Sequence, residues 1–263
     1  MRISIVTPNY NQGEYIEQTI KSVIKQEGDF QIEYIIVDGG SSDSSLDIIK
    51  KYDLIIKENF PNIQFKWISE KDNGMYDAIV KGFSIATGDI YAWINGDDYY
   101  LPGAFQYITD IFTKYSNVNW LKGITNRLDV DNKIKKGVLY EYKKDLITKG
   151  VYGTLTYFIQ QDSVFWRSEL WKKIKNEEIK DYKFAGDFRL WQLFAQYEDL
   201  YTFNKEVSVF RKHPNQKSSQ IENYLKEAKR TINYSYIEGY LIKNIFKLQK
   251  LLGFKFIHGK VIR

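Results

Sequence analysis

Asp97 and Asp98 stand side by side where an apolar run, Ile90-Tyr91-Ala92-Trp93-Ile94, gives way to Asn95-Gly96. A double carboxylate at the carboxyl end of a buried strand lies where an open α/β sheet receives its ligand. Carboxylate oxygens suit hard cations such as Mg2+ and Mn2+, which commonly arrive with substrate phosphates. Asn-Gly before acids is also an ordinary solvated turn, so the pair alone decides nothing. Three other polar groups follow apolar runs: the turn over 7–11, Asp38 before Gly39-Gly40, and Asp72 before Asn73-Gly74. Each could be a plain turn, but carboxylates after successive parallel strands share one sheet edge. Asp187, between Gly186 and the apolar Phe188, Leu190 and Trp191, reads first as a helix cap. His213 lies in a polar Lys-His-Pro-Asn stretch.

The elements that must position these groups are legible as periodicity. Residues 3–7 make a buried strand, and a helix pattern follows through Ile16, Ile20, Val23 and Ile24. Residues 34–37 are a second strand, whose Gly-Gly-Ser-Ser loop leads to a helix carrying Leu46, Ile49 and Ile56, capped by Asp43 or a neighbouring Ser. Strands over 64–68 and 90–94 flank a helix over 75–86. This alternation predicts an α/β fold whose mostly parallel sheet is covered on both faces. After Asp98 the pattern changes to a helix over 102–115 and antiparallel strands over 120–128 and 133–142, then a strand over 158–167. A helix over 188–197, a strand over 200–211 and helix from Gln220 onward complete the prediction.

Composition narrows the chemistry. The 263 residues are 43% hydrophobic and 27% charged, ordinary globular material for one large domain with an appendage. With no Cys and only two His, thiolate sites, disulfides and multi-histidine zinc centres are excluded. Neither G-x-G-x-x-G after the first strand nor G-x-x-x-x-G-K-[ST] occurs, which removes the usual dinucleotide and triphosphate loops. There is no signal-like leader pattern and no apolar run long enough to span a bilayer, so a cytoplasmic chain is expected.

Five segments together resemble the family-two group of GT-A glycosyltransferases, of the inverting, bacterial surface-polysaccharide type. They are Val6-Thr7-Pro8-Asn9-Tyr10-Asn11, Tyr34 to Asp43, Ala86 to Asp98 through Trp93-Ile94-Asn95-Gly96-Asp97-Asp98, Gly186-Asp187-Phe188-Arg189-Leu190-Trp191, and Val209 to Ser218. The resemblance implies a GT-A fold: a Rossmann-like, mostly parallel sheet with helices on both faces, a smaller antiparallel acceptor-side part and a C-terminal helical extension. It divides the chain into a catalytic domain over 1–218, with a nucleotide-sugar half (1–100) and an acceptor half (101–218), and a basic tail over 219–263.

By the same resemblance Asp38 accepts a hydrogen bond from the nucleotide base, bedded on Thr7, Pro8 and Tyr10. Asp72 lies near nucleotide and donor sugar. Asp97 points toward ribose and sugar, while Asp98 binds Mn2+ or Mg2+, with His213 approaching metal or diphosphate. Asp187 is the general base. Asn95 stands where a strict D-x-D would have its first acid. These types suit the reaction. A divalent ion neutralises a nucleoside diphosphate leaving group, the anomeric carbon passes through an oxocarbenium-like state, and a carboxylate takes the proton of the acceptor hydroxyl. Direct displacement inverts the anomeric centre. The expected donor is a UDP-linked hexose or N-acetylhexosamine, and the acceptor a lipid-linked glycan. A sugar nucleotidyltransferase and a catalytically idle assembly module are the competing readings. The tryptophans read as core, with Trp166 the one to test as an acceptor platform.

The tail needs its own account. From 202 to 263, 13 Lys and Arg face 4 Glu, a local +9 that leaves −4 for the rest of a chain of net charge +5. On a helix, Lys243, Lys247 and Lys250 share one side and Leu241, Ile245, Leu248 and Leu252 another, with Phe254, Lys255, Phe256, Ile257, Lys260 and Arg263 beyond. This pattern predicts contact with an anionic membrane surface at the inner face of the plasma membrane. Packing on its own domain or in a homodimer is the alternative. Nucleic acid is not expected, for no recognisable module is present.

Overall fold

The structure, a computed structural model, describes residues 1–214, 216–253 and 257–262. Asn215 of the closing motif and Phe254, Lys255, Phe256 and Arg263 of the tail lie outside the described residues. The first half follows the predicted alternation: β1 (Arg2–Asn9), α1 (Ile16–Ile24), β2 (Gln31–Asp38), α2 (Ser45–Asn59), β3 (Ile63–Ser69), α3 (Met75–Ser84) and β4 (Ile90–Trp93). β1 pairs in parallel with both β2 and β4, and β2 with β3. Their apolar runs are continuous because both faces are covered: Ile5 and Ile36 join one core, while Val6, Ile35 and Val37 join the other.

The second half extends the same sheet. β5 (Tyr99–Tyr100) precedes α4 (Ala104–Lys114), β6 (Trp120–Leu128), β7 (Ile134–Lys135) and α5 (Lys144–Thr148). Then come β8 (Val164–Arg167), α6 (Ser168–Lys173), α7 (Gly186–Phe194), β9 (Tyr201–Arg211), α8 (Ile221–Ala228), α9 (Tyr236–Leu252) and β10 (Lys260–Ile262). The strand order is β10-β9-β6-β8-β4-β1-β2-β3, with β5 on β9 and β7 on β6. β8 runs antiparallel to β4 and β6, as the change of pattern after Asp98 implied.

Three expectations are corrected. The strand over 133–142 shrinks to β7, because beyond it the chain leaves β6 and packs Tyr142 into the core. The strand over 158–167 begins only at Val164, after a 3-10 turn at Gln161–Ser163. The end of the chain is not all helix: β10 adds to β9 in parallel, Lys260 opposite Tyr201. α9 buries Gly239, Ile242 and Phe246, and Phe246 meets the rings of Tyr152 and Tyr157.

Candidate active site

The carboxyl ends of β1, β2, β3 and β4, the start of α7 and the exit of β9 enclose one cleft of about 1400 Å³. One end of it is a clasp between two loops. Asn11, at φ 51°, receives a hydrogen bond from Ser42 N on its Oδ1 and donates its own N–H to Ser41 Oγ. Asp38 sits under this clasp with no exposed surface. Its Oδ1 accepts from Asn9 Nδ2 at 2.7 Å and Ser41 Oγ at 2.5 Å, and its Oδ2 from Ser69 Oγ at 2.7 Å and the N–H groups of Gly40 and Ser41. Burial alone would raise its pKa, but these donors hold it below the ordinary carboxylate value.

Asp38 is therefore off the cleft wall with its lone pairs already taken, and it shapes the loop. Thr7 is also interior, its Oγ1 3.1 Å from the Tyr34 hydroxyl. Pro8 and Tyr10 do line the cleft, Tyr10 being 61% exposed. The acid that reaches this end is Asp72, on Gly39: a Cβ on that glycine would lie 2.8 Å from Asp72 Oδ2. Burial raises the Asp72 carboxyl, against the Gly74 N–H and the charges of Lys81 and Lys217.

The acid pair lies in the turn between β4 and β5. Because β5 pairs with β9, Tyr99 opposite Val209, the residues leaving β9 are laid over that turn. Arg211 donates its backbone N–H to Asp98 Oδ1 at 2.8 Å and its Nε to the Asp97 carbonyl at 2.9 Å. His213 Nε2 then meets Asp97 Oδ2 at 2.9 Å, with the Tyr15 ring tilted against the imidazole, their centroids 4.8 Å apart. The two acids are thus separated in kind. Asp98 is 1% exposed, and burial, then the charges of Asp97 and Asp162, push its pKa well above the ordinary range. Asp97 is the one that faces the cleft, together with His213. Asp97, expected toward ribose and sugar, stands at the cleft, while Asp98, expected to bind the metal, is turned inward under the Arg211 N–H.

Asp187 opens α7 on the opposite wall. Gly186 lets α7 lie directly on Tyr76, since a Cβ there would stand 2.7 Å from the Tyr76 ring. The Tyr76 hydroxyl is 3.2 Å from Asp187 Oδ1 and 3.1 Å from the Phe184 carbonyl. Burial pushes the Asp187 carboxyl up to about 6, against the lowering effect of the Phe188 N–H and Tyr76. The approach to α7 is pinned by Glu227 of α8, a buried side chain that accepts from the backbone N–H groups of Lys183, Phe184 and Ala185.

An acid beside Gly39, an acid–imidazole pair and a carboxyl raised to about 6 thus share one cleft. The sequence pattern described as Glycosyl transferase family 2 matches residues 4–197. The chain belongs to that family.

Relatives within it include an uncharacterised glycosyltransferase of Nostoc sp., 34% identical over 130 residues, 49% of this chain and 37% of that protein. A Methanococcus voltae dolichyl N-acetyl-alpha-D-glucosaminyl phosphate 3-beta-D-2,3-diacetamido-2,3-dideoxy-beta-D-glucuronosyltransferase is 27% identical, covering 97% of this chain and 78% of the relative. Among solved structures, S. aureus TarS (residues 1–349) in complex with UDP-GlcNAc matches with a TM-score of 0.58 at 18% identity, over 97% of this chain and 74% of that one. The Pyrobaculum calidifontis mannosyltransferase PcManGT in complex with GDP-Man and Mn2+ gives 0.60 at 15%, over 92% and 68%. These neighbours establish the GT-A fold.

Family-2 motifs located the cleft but missed part of its wall. Tyr76 on that wall, and Glu227 behind it, sit on helix faces that look like ordinary core and solvated surface. Lys122 and Asp162, on β6 and just before β8, also line the cleft. The only local signal was an acid, Asp162, directly before the apolar Val164-Phe165-Trp166. Trp166 itself is fully buried between Trp93, Trp171 and Phe194, which removes it as an acceptor platform.

Proposed function

We propose that this family-2 glycosyltransferase moves a hexose or N-acetylhexosamine from a UDP-sugar to a hydroxyl of a lipid-linked glycan, with inversion, in building a surface polysaccharide. The observation that carries the reading is the convergence of Asp72, the Asp97–His213 pair and Asp187 on one cleft. In this reading the base lies on Pro8 and Tyr10, and Asp72 rather than Asp38 accepts its N–H. Asp97 and His213 would hold Mn2+ or Mg2+, in place of the Asp98 expected from sequence. A carboxylate oxygen and a neutral imidazole nitrogen are a fitting donor pair, and the imidazole favours Mn2+. When bound, such an ion neutralises charge on the departing diphosphate. Lys212 and Lys217, both on the cleft wall, supply further positive charge.

Asp187 takes the acceptor proton. A carboxyl near 6 is ionised at neutral pH yet more basic than an exposed Asp, as a general base requires. Tyr76 fixes one of its oxygens, leaving the other for the attacking hydroxyl. The acceptor attacks from the side opposite the diphosphate, so an α-linked donor gives a β-linked product.

Attachment to an anionic membrane is supported by α9. Tyr240, Leu241, Leu248 and Leu251 are exposed on it, 62%, 56%, 45% and 81%, beside the exposed Lys243, Lys247 and Lys250. Among the described residues no helix is long and apolar enough to cross a membrane. Calorimetry with UDP tests the central reading. Binding that strengthens at least tenfold with Mn2+, together with UDP release from a UDP-hexose and glycan acceptor, is expected; no metal-dependent binding refutes it.

A further inference from the structure

Between the acid–imidazole pair and Asp187 the cleft floor carries polar atoms that the mechanism above leaves unused. β8 runs antiparallel to β4 with Ile90 opposite Arg167 and Tyr91 opposite Trp166. The 3-10 turn Gln161–Ser163 that leads into β8 packs against β4, β6 and β9. On its other side β8 pairs with β6, Lys122 opposite Val164. Asp162, Asn95, Gln161 and Lys122 therefore meet where three neighbouring strands open into the cleft, and all four line it.

Their hydrogen bonding is incomplete in one sense only. Asp162 is 1% exposed; its Oδ2 accepts from Ser208 Oγ at 2.7 Å, but its Oδ1 has no partner. Asn95 Oδ1 and Gln161 Oε1 are likewise buried without partners. Among the donors of the group, Lys122 Nζ gives a hydrogen bond to the Gly123 carbonyl at 2.8 Å and Asn95 Nδ2 one to Asp98 Oδ2 at 3.4 Å. Buried polar atoms left unpaired are costly, and clusters of them mark places that a ligand completes. Three buried acceptor oxygens without a partner call for hydroxyl or amide hydrogens. A ligand carboxylate at this floor brings no hydrogen for these oxygens and would leave them unpaired.

Resting on the proposed function, we infer that Asp162, Asn95 and Gln161 form the floor that selects the donor sugar, and that it admits a neutral, hydroxyl-bearing pyranose and rejects a uronic acid. Asp162 is the residue on which the discrimination turns, with Lys122 beside it on the cleft wall.

The test is calorimetric binding, with Mn2+, of UDP, UDP-glucose, UDP-galactose, UDP-N-acetylglucosamine and UDP-glucuronate to the wild-type chain and to Asp162→Asn. Wild type should bind at least one neutral UDP-sugar tenfold or more tighter than UDP-glucuronate, the size expected of one hydrogen bond to a buried carboxylate. Asp162→Asn keeps the shape and an acceptor for Ser208, and should shrink that ratio to threefold or less while UDP itself changes less than twofold. UDP-glucuronate binding as well as any neutral donor in wild type overturns the inference, whether or not the variant folds. A ratio that survives in a folded Asp162→Asn assigns the residue to strand packing and also overturns it. Loss of UDP binding by the wild type is a different result: it removes the proposed function, and this inference falls with it.

Discussion

Replacing Asp187 by Asn should make the protein more stable while stopping transfer. In the folded chain burial lifts this carboxyl from 3.8 to about 6. A group whose folded pKa lies above its unfolded value binds its proton more tightly in the native state. For an acid, stability is then undisturbed below pH 3.8, falls as pH rises between 3.8 and 6, and stays lowered above that. The rise corresponds to roughly 3 kcal/mol at neutral pH, since each tenfold change in proton affinity is about 1.4 kcal/mol. Asn has nearly the same shape and no charge, so its oxygen can still accept from Tyr76 and the Phe188 N–H. Urea unfolding of wild type and Asp187→Asn at pH 3.5, 5, 6 and 8 isolates the effect, because other titrating groups cancel in the difference. The variant should match wild type at pH 3.5 and exceed it by roughly 2–3 kcal/mol at pH 8, while kcat falls by about 10² or more. In wild type, kcat/KM should rise with pH to a plateau, with an apparent pKa about 6. A difference in stability that does not vary with pH, or a variant less stable at pH 8, refutes the argument that Asp187 is held poised by burial.

Three further outcomes follow from the same geometry. Glu227→Gln puts an amide N–H against backbone donors that now point at a carboxylate; a loss of about 1–3 kcal/mol in unfolding free energy and a fall in kcat with donor KM little changed are expected. Asp97→Asn and His213→Ala should each abolish the Mn2+ enhancement of UDP binding, whereas Asp98→Asn should retain it, as calorimetry will show. Leu241→Glu with Leu248→Glu should release the chain from phosphatidylserine vesicles in a sedimentation assay, yet leave stability within about 0.5 kcal/mol, because both side chains are exposed.

The parallel half of the sheet was legible because each of its strands is defined by its own apolar run. β1, β2 and β4 are buried on both faces, and no distant partner alters that pattern. β5 and β10 were not legible for the opposite reason. β5 is two residues long and has no periodicity to show, and Lys260-Val261-Ile262 becomes a strand only because β9 offers it an edge. Glu227 fails in the same way: on a helix it reads as a solvated charge, and only the return of α8 to the loop before α7 gives it three backbone donors.

The acid pair carries this distinction to the centre of the site. Local pattern places Asp97-Asp98 at a strand end and assigns them chemistry, but it cannot say which of two adjacent side chains faces the cleft. That choice is made by β5 and β9, paired across more than a hundred residues of chain: the Arg211 N–H takes Asp98 inward, and the imidazole two residues later meets Asp97. The same holds for Asp38 and Asp72. Asp38 follows the more recognisable motif, yet the loop it organises consumes its lone pairs, and the free carboxylate is the one delivered by the next strand. Sequence thus locates the carboxylates, while long-range pairing decides which of them is left with an oxygen to offer.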